Sequence, residues 1–507
     1  MNNSGIKCNG VTGIDFGATS VKACVRTQNG LTLVRPNGAD ILFSEISICK
    51  NRMIPGMHQN GYFISNIKEE LAKVDSNGKD DYKMVINFGY TTSSLYTMDI
   101  IAEIVKYVYD SASTITGVKD MKASITYPTT FSRYSVQQLI NSIELGGFEV
   151  ISVYPEPIAA AYSIIHGLMQ NPFKTMQEFG SEFNIIVYDF GGYTFDCSAI
   201  HMHDKQFDLI DHYCEAYTGC YYLSQEIVQE ANPKLSGKEL LEQTRECMKM
   251  INNTKNMIYL NGVTISTEIS KKHILKYVKK TEVLIDALLN QLDRKLKTVL
   301  FFVGGMCTCP IVRNEIREHY PNLQITEQNT FLYDVSQGAF LLGESIINSH
   351  DIKFDMEKCS PPQDPLPYNI VVTIGGNEKL LRRTDANETS EVCQFCLDIR
   401  PNGPSRVRVQ CFYDHPHRKN DAYIINESFI VVDAIQIVFK CWIDKVNIVH
   451  IVSECSKVVY KKSYQGFAIQ HISDDMREAH KKRVEESVAA FKLSESERRK
   501  RMGASRN

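Results

Sequence analysis

Residues 187–196 read Val187-Tyr188-Asp189-Phe190-Gly191-Gly192-Tyr193-Thr194-Phe195-Asp196, and residues 13–20 read Gly13-Ile14-Asp15-Phe16-Gly17-Ala18-Thr19-Ser20. Both run from an apolar strand through aspartate, glycine and hydroxyl into a second strand. Either one alone is an Asp-x-Gly turn of the kind that closes many hairpins. Repeated about one domain-half apart, they predict two hairpins, each entering an α/β half and facing the other across a cleft. There, glycine lets backbone N–H groups approach phosphate oxygens, Thr19 offers a hydroxyl, and Asp15 holds magnesium through water. A polyphosphate and its metal would be clamped from both sides. Neither stretch is GxxxxGK followed by Ser or Thr, so a P-loop fold is not indicated.

A third glycine turn, Val303-Gly304-Gly305-Met306, follows the apolar strand 298–302 and precedes a helix at 311–319. Its glycines allow close approach of backbone to ligand, here the sugar or base of a nucleotide. Between the hairpins, Ser124–Tyr127 reads as a buried strand. Ser135–Leu145 reads as a helix with apolar Val136, Leu139, Ile140 and Ile143, stopped by Gly146 and Gly147. A strand at 150–153 leads into Pro155-Glu156-Pro157, which opens a small-residue helix over 158–165 with proline where no amide donor is needed. Strands alternate with helices to about residue 345, the pattern of sheets covered by helices.

Around Ser360 the texture changes. CSPPQDPLP is a proline-rich break that neither a helix nor a central strand tolerates. From Tyr368 to about Tyr460, runs such as YNIVVTI, VRVQCFY, ESFIVV, IQIVFKCWI and NIVHIV are separated by Gly, Pro, Asn and Asp, the spacing of a β-sandwich. The last stretch, 473–507, is charged and helix-prone, and reads as a short docked helix or a frayed tail.

A chain of 507 residues exceeds what one hydrophobic core serves, so two or three domains are expected. A net charge of −3 supplies no concentrated basic face for nucleic acid. No stretch approaches the ~20 apolar residues that cross a bilayer, and the N-terminus lacks a secretory pattern. Fifteen scattered cysteines fit reduced core thiols and a cytoplasmic setting. The close pairs Cys307/Cys309 and Cys393/Cys396 lack a second ligand pair at zinc-ribbon spacing and are read as core thiols.

Taken together, DFGATS, ITYPTTFS, VYPEPIAAAYS, VYDFGGYTFDCS, VGGMCTCPIV and VSQGAFLLG resemble the motifs of the 70-kDa heat-shock (DnaK-type) chaperones. The resemblance runs from about Gly13 to Tyr460. It implies an actin-like ATPase domain, a duplicated ribonuclease H-like α/β fold, over 1–350. A linker at 351–367, a β-sandwich peptide-binding domain at 368–470 and a short helical or disordered tail at 471–507 would follow.

Carried over residue by residue, it implies that Asp15 and Asp189 organise the waters of Mg2+, while Gly17, Ala18, Thr19, Gly191, Gly192 and Thr194 surround the phosphates of ATP or ADP. Lys68 falls where the family stabilises the γ-phosphate. Glu156 and Asp196 match acidic positions that place the attacking water and relay the nucleotide state. Glu246 and Lys249 match ribose contacts, Gly219 a phosphate-side glycine, and Gly304 and Gly305 the nucleoside turn. Implied partners are unfolded or extended peptide segments, J-domain co-chaperones and nucleotide-exchange factors.

Several positions depart from the family. Ala18 replaces a threonine whose hydroxyl lies near the γ-phosphate, and Tyr193 replaces the third glycine of the second hairpin. Met250 and Thr308 replace two arginines that sandwich the adenine. SPPQDPLP replaces an acidic, leucine-rich linker, and the chain after the sandwich is too short for a helical lid. The expectation is therefore a slow ATP-dependent chaperone-like protein, with a nucleotide-binding but catalytically weak regulatory or scaffold protein of the same fold as the alternative. A sugar kinase or filament protein of this fold class does not predict the β-rich region after Tyr368.

Overall fold

The structure is a computed structural model. It describes residues 10–38, 42–49, 52–56, 61–65, 67–72, 83–128, 131, 133–168, 179–203, 206–215, 217–251, 257–260, 262–326, 331–348, 370–381, 392–398, 405–413, 423–431, 436–443, 449–453, 461–464 and 471–504. The proline-rich segment expected to be a linker lies outside the described residues.

Two sheets repeat one topology. In the first, Gly30–Leu33, Ser20–Thr27 and Val11–Phe16 form an antiparallel meander, continued in parallel by Lys122–Tyr127 and Glu149–Pro155. In the second, Gln206–Glu215, Phe195–His203 and Glu182–Phe190 form the meander, continued in parallel by Thr298–Val303 and Gln324–Thr326. Antiparallel strands need only a tight turn, whereas the parallel steps need crossovers, which helices supply. Those helices include Thr97–Thr116, Arg133–Leu145 and Thr267–Leu289.

Helices Glu156–Leu168 and Asp334–Asn348 pack on each other, and the latter also covers the strand Val11–Phe16. Glycine makes this contact possible. A Cβ at Gly338 would run into the backbone of Ala159, and one at Gly13 into Ser336 and Phe340. Because the sheets are covered, their central strands are buried almost throughout: all six residues of Val11–Phe16 are buried, as are Phe183 to Tyr188.

Beyond residue 369 come two four-stranded antiparallel sheets. One has the order Asn377–Leu381, Ile370–Ile374, Ser405–Tyr413, Tyr423–Val431, and the other Cys393–Asp398, Gln436–Ile443, Val449–Ser453, Lys461–Tyr464. Burial alternates along them: Val372 and Ile374, Val407 and Val409, Phe395 and Leu397, and Ile437, Phe439 and Cys441 turn inward.

The C-terminal stretch, expected to be a short docked helix or a frayed tail, is a single helix of 31 residues, Asp474–Ala504. It lies against the hairpin Lys83–Asn87/Thr92–Tyr96 and the helix Thr97–Thr116. Phe491 enters the core of the first half, edge-on to Phe88 at 5.4 Å between ring centroids. Asp99 is completely buried and accepts hydrogen bonds from Arg483 Nε and Nη2 (2.7 Å each), His480 Nδ1 (2.9 Å) and the Tyr96 backbone N–H (2.9 Å). The periodicity of this stretch did not decide between docking and fraying, because its apolar contacts are few and its anchors are charged. Among the described residues, no helix is long and apolar enough to cross a membrane.

Candidate functional site

The two Asp-x-Gly hairpins come together. Asp15 ends the strand Val11–Phe16, and Gly17 N–H donates to Ser20 O at 3.1 Å across its turn. Asp189 stands at the matching place in Glu182–Phe190, and Gly191 N–H donates to Thr194 O, also at 3.1 Å. The turns touch: a Cβ on Gly192 would strike the side chain of Thr19. That contact brings the two sheets' aspartates to one cleft floor.

Gly219 caps the helix Cys220–Ala231 directly beneath the second turn, where any side chain would collide with Gly192 and Tyr193. The first amides of that helix are taken by the turn itself, since Cys220 N–H donates to Gly191 O and Tyr221 N–H to Gly192 O. The Tyr193 ring is buried and stacked on Tyr221 with centroids 4.9 Å apart, so its bulk is absorbed by packing on this helix. Gly304 has φ +88°, a left-handed conformation, and a Cβ there would meet the Asp189 carboxylate and Phe190 O. It therefore lies at the aspartate end of the cleft, while Gly305 has room beside it.

Lys68 and Glu156 form a buried pair, Nζ to Oε1 2.7 Å, with Lys68 Nζ 5.9 Å from the Phe131 ring centroid. Across the cleft, Asp189 and Asp196 are direct cross-strand partners, and Thr194 Oγ1 donates to Asp196 Oδ2 at 2.7 Å. The other oxygen, Asp196 Oδ1, is buried and has no hydrogen-bond donor. Burial pushes the Glu156 carboxyl up to about 7 against the pull of Lys68, with Asp15 and Asp196 adding to the rise. Burial together with the charges of Asp196 and Glu156 raises Asp189 well above the usual carboxylate range. A small cavity lined by Pro128, Glu156, Asp189, Asp196 and Ser198 lies between these groups. It is about the size of one water.

At the rim, Glu246 and Lys249 lie on the helix Gly237–Met250 and pair with each other at 2.8 Å, both half-exposed. The same helix reaches the first half through Arg245, which bridges to Glu45 at 2.9 Å and stacks over Phe63 at 4.3 Å. Met250 is 37% exposed beside them. Thr308 donates to Gly305 O at 2.7 Å and closes its own turn. The thiols of Cys307 and Cys309 are buried and pushed up by burial. Cys393 is partly buried, and Cys396, on the other face of its strand, is exposed.

One residue of the cleft escaped the sequence reading. Lys22 lies directly across from Asp15 in the antiparallel pair, with Nζ 3.1 Å from Oδ2. Burial would lower its pKa, but Asp15, with Asp189 and Glu156 further off, outweighs burial and raises it. A signal was present: Lys22 follows Asp15 by the same seven residues that separate Asp196 from Asp189. The repeat thus pairs aspartate with lysine in one hairpin and with a second aspartate in the other. Direct ligation of one magnesium ion by both Asp15 and Asp189 does not fit this arrangement, because the Lys22 ammonium already holds Asp15. Among the described residues, no group of three or more His, Cys, Asp or Glu is placed to hold a metal ion.

Compared with known proteins, residues 51–330 match the family model described as Hsp70 protein. The chaperone protein HscA homolog of Rickettsia typhi is 22% identical over 397 residues, covering 76% of this chain and 65% of that protein. The chaperone protein DnaK of Mycoplasmopsis synoviae is 26% identical over 375 residues, covering 66% and 58%. That of Thermosipho melanesiensis is 25% identical over 378 residues, covering 68% and 61%. The chain thus spans less than two thirds of the length of these curated relatives.

Proposed function

The chain belongs to the Hsp70 family, and we propose that it is a slow, nucleotide-dependent chaperone-like protein. It binds ATP or ADP between its two α/β halves and extended, unfolded peptide segments on the two sheets beyond residue 369, which act as its β-sandwich. The observation that carries this reading is the meeting of the two hairpins, with Gly192 against Thr19 and the acidic groups Glu156, Asp189 and Asp196 around a water-sized cavity.

In this reading the Thr19 hydroxyl and the Gly192 backbone N–H hold phosphate oxygens, while Gly17 and Gly191 spend their N–H groups on closing the two turns, the Thr194 hydroxyl serves Asp196, and Gly219 and Gly304 let the turns approach closely. Lys68 faces the terminal phosphoryl group. A water in the cavity donates one hydrogen bond to Asp196 Oδ1, which has no protein donor, and its other proton passes to Glu156. A carboxyl whose pKa is raised to about 7 is suited to that acceptance. The work is positioning and charge stabilisation, not covalent catalysis. Ala18 withholds one hydroxyl from the transferring group, worth roughly 1.5–3 kcal/mol, or about ten- to a hundredfold in rate. Glu246, Lys249 and the half-exposed Met250 form the nucleoside side of the cleft.

The partners are J-domain co-chaperones and nucleotide-exchange factors, as in the family. The eleven cysteines whose side chains are described are all free thiols, in keeping with a reducing compartment such as the cytoplasm.

A second reading, a nucleotide-binding protein without useful hydrolysis, is favoured by Ala18 and by Lys22 on Asp15. Single-turnover measurement with γ-labelled ATP separates the two. Phosphate release above an Asp189→Asn control supports the hydrolytic reading, and release equal to that control removes it. Fluorescent-peptide affinity measured with ATP and with ADP tests the chaperone cycle; equal affinities in both states reject it.

A further inference from the structure

Lys22 is built into the cleft where the repeat would otherwise place an acid. The two hairpins share strand order, turn and register, and each sets its leading aspartate against the residue seven positions on: Asp15 with Lys22, Asp189 with Asp196. Cross-strand partners project on the same face of a sheet. The register therefore delivers the Lys22 ammonium to the face that carries Asp15, and the 3.1 Å contact shows it arriving there. Its Nζ lies close over the phosphate turn, 3.6 Å from where a Cβ on Gly17 would stand. The other lysine of the cleft, Lys68, is held by Glu156 at 2.7 Å. Among the described residues, Lys22 is thus the cation paired with the leading aspartate of the first hairpin.

We propose that Lys22 takes the place of the divalent cation, so that this protein binds nucleotide as the metal-free polyphosphate, held by Lys22 and Lys68. The inference rests on the nucleotide reading given above. An ammonium already paired with Asp15 repels a dication brought to the same carboxylate, while it attracts the phosphate oxygens a metal would otherwise bridge. The stem of Lys22 emerges from a strand, so the charge is fixed in the scaffold and does not depend on metal supply.

The test is equilibrium binding of ATP, followed by calorimetry or by displacement of a fluorescent ATP analogue, in millimolar magnesium and in EDTA. The wild-type chain is expected to bind with affinities that agree within about threefold in the two media. Lys22→Ala and, as a closer replacement in size, Lys22→Gln are expected to bind on the order of tenfold or more weakly in EDTA and to recover with magnesium, as a charge pair exchanged for a metal requires. Circular dichroism of both variants checks that they fold. Wild-type binding that is lost in EDTA and restored by magnesium overturns the inference and leaves the nucleotide reading standing. No binding in either medium overturns both.

Discussion

Asp99→Asn is the sharpest probe of the docked C-terminal helix. Asp99 has no exposed surface, and its two oxygens receive four donors, from Tyr96, His480 and twice from Arg483. Asparagine keeps the shape and one acceptor oxygen but turns an NH2 group toward Arg483 or His480, so donor faces donor. Removing one member of a buried ion pair costs about 3–5 kcal/mol. Undocking of the helix sets the ceiling, since a released Arg483 is solvated again. What still holds the helix is Phe491 on Phe88, Val484 and Val488 against the core, and the hydrogen bonds of Thr91 to Ala490 O and Ser494 to Phe88 O. Phe491 alone is worth roughly 1.5–3 kcal/mol of burial. At about 1.4 kcal/mol per factor of ten, hydrogen exchange of amides in 474–504 should speed up by about a hundredfold or more. Glu485→Gln, an exposed change on the same helix, should leave exchange unaltered. A rise of less than about tenfold in Asp99→Asn would show that apolar contact, not the buried carboxylate, holds the helix.

The same cluster predicts a pH dependence. Burial alone would lower the His480 pKa, but Asp99 and Glu103 outweigh it and raise it from 6.5 to about 9. Its contribution to docking is therefore complete below pH 6.5 and lost as pH rises through about 9, and His480→Gln should flatten that profile in a thermal-melt or exchange series. Gly304→Ala places a methyl group in a left-handed backbone position against the Asp189 carboxylate. It should destabilise the chain by about 1–3 kcal/mol in denaturant unfolding and weaken nucleotide binding, whereas Gly305→Ala, which has space, should do neither.

The sequence alone determined the elements that carry the motifs and their order. The hairpins at Asp15 and Asp189, the strand and helix between Lys122 and Leu145, and the proline-opened helix at Glu156 follow from periodicity and turn chemistry, which are local properties of the chain. The motifs and their order also point to the family. Only the tertiary structure decided which groups face one another. Lys22 looks like any strand lysine until the antiparallel register sets it on Asp15. Tyr193 looks like an obstruction beside the phosphates until Tyr221 stacks on it. The helix Asp474–Ala504 reads as a docked helix or a frayed charged tail until Asp99, nearly four hundred residues earlier, receives Arg483 and His480. The physical reason is common to all three. A charge or a ring gains its meaning from partners within a few ångströms, and long-range packing, not the neighbouring sequence, chooses those partners.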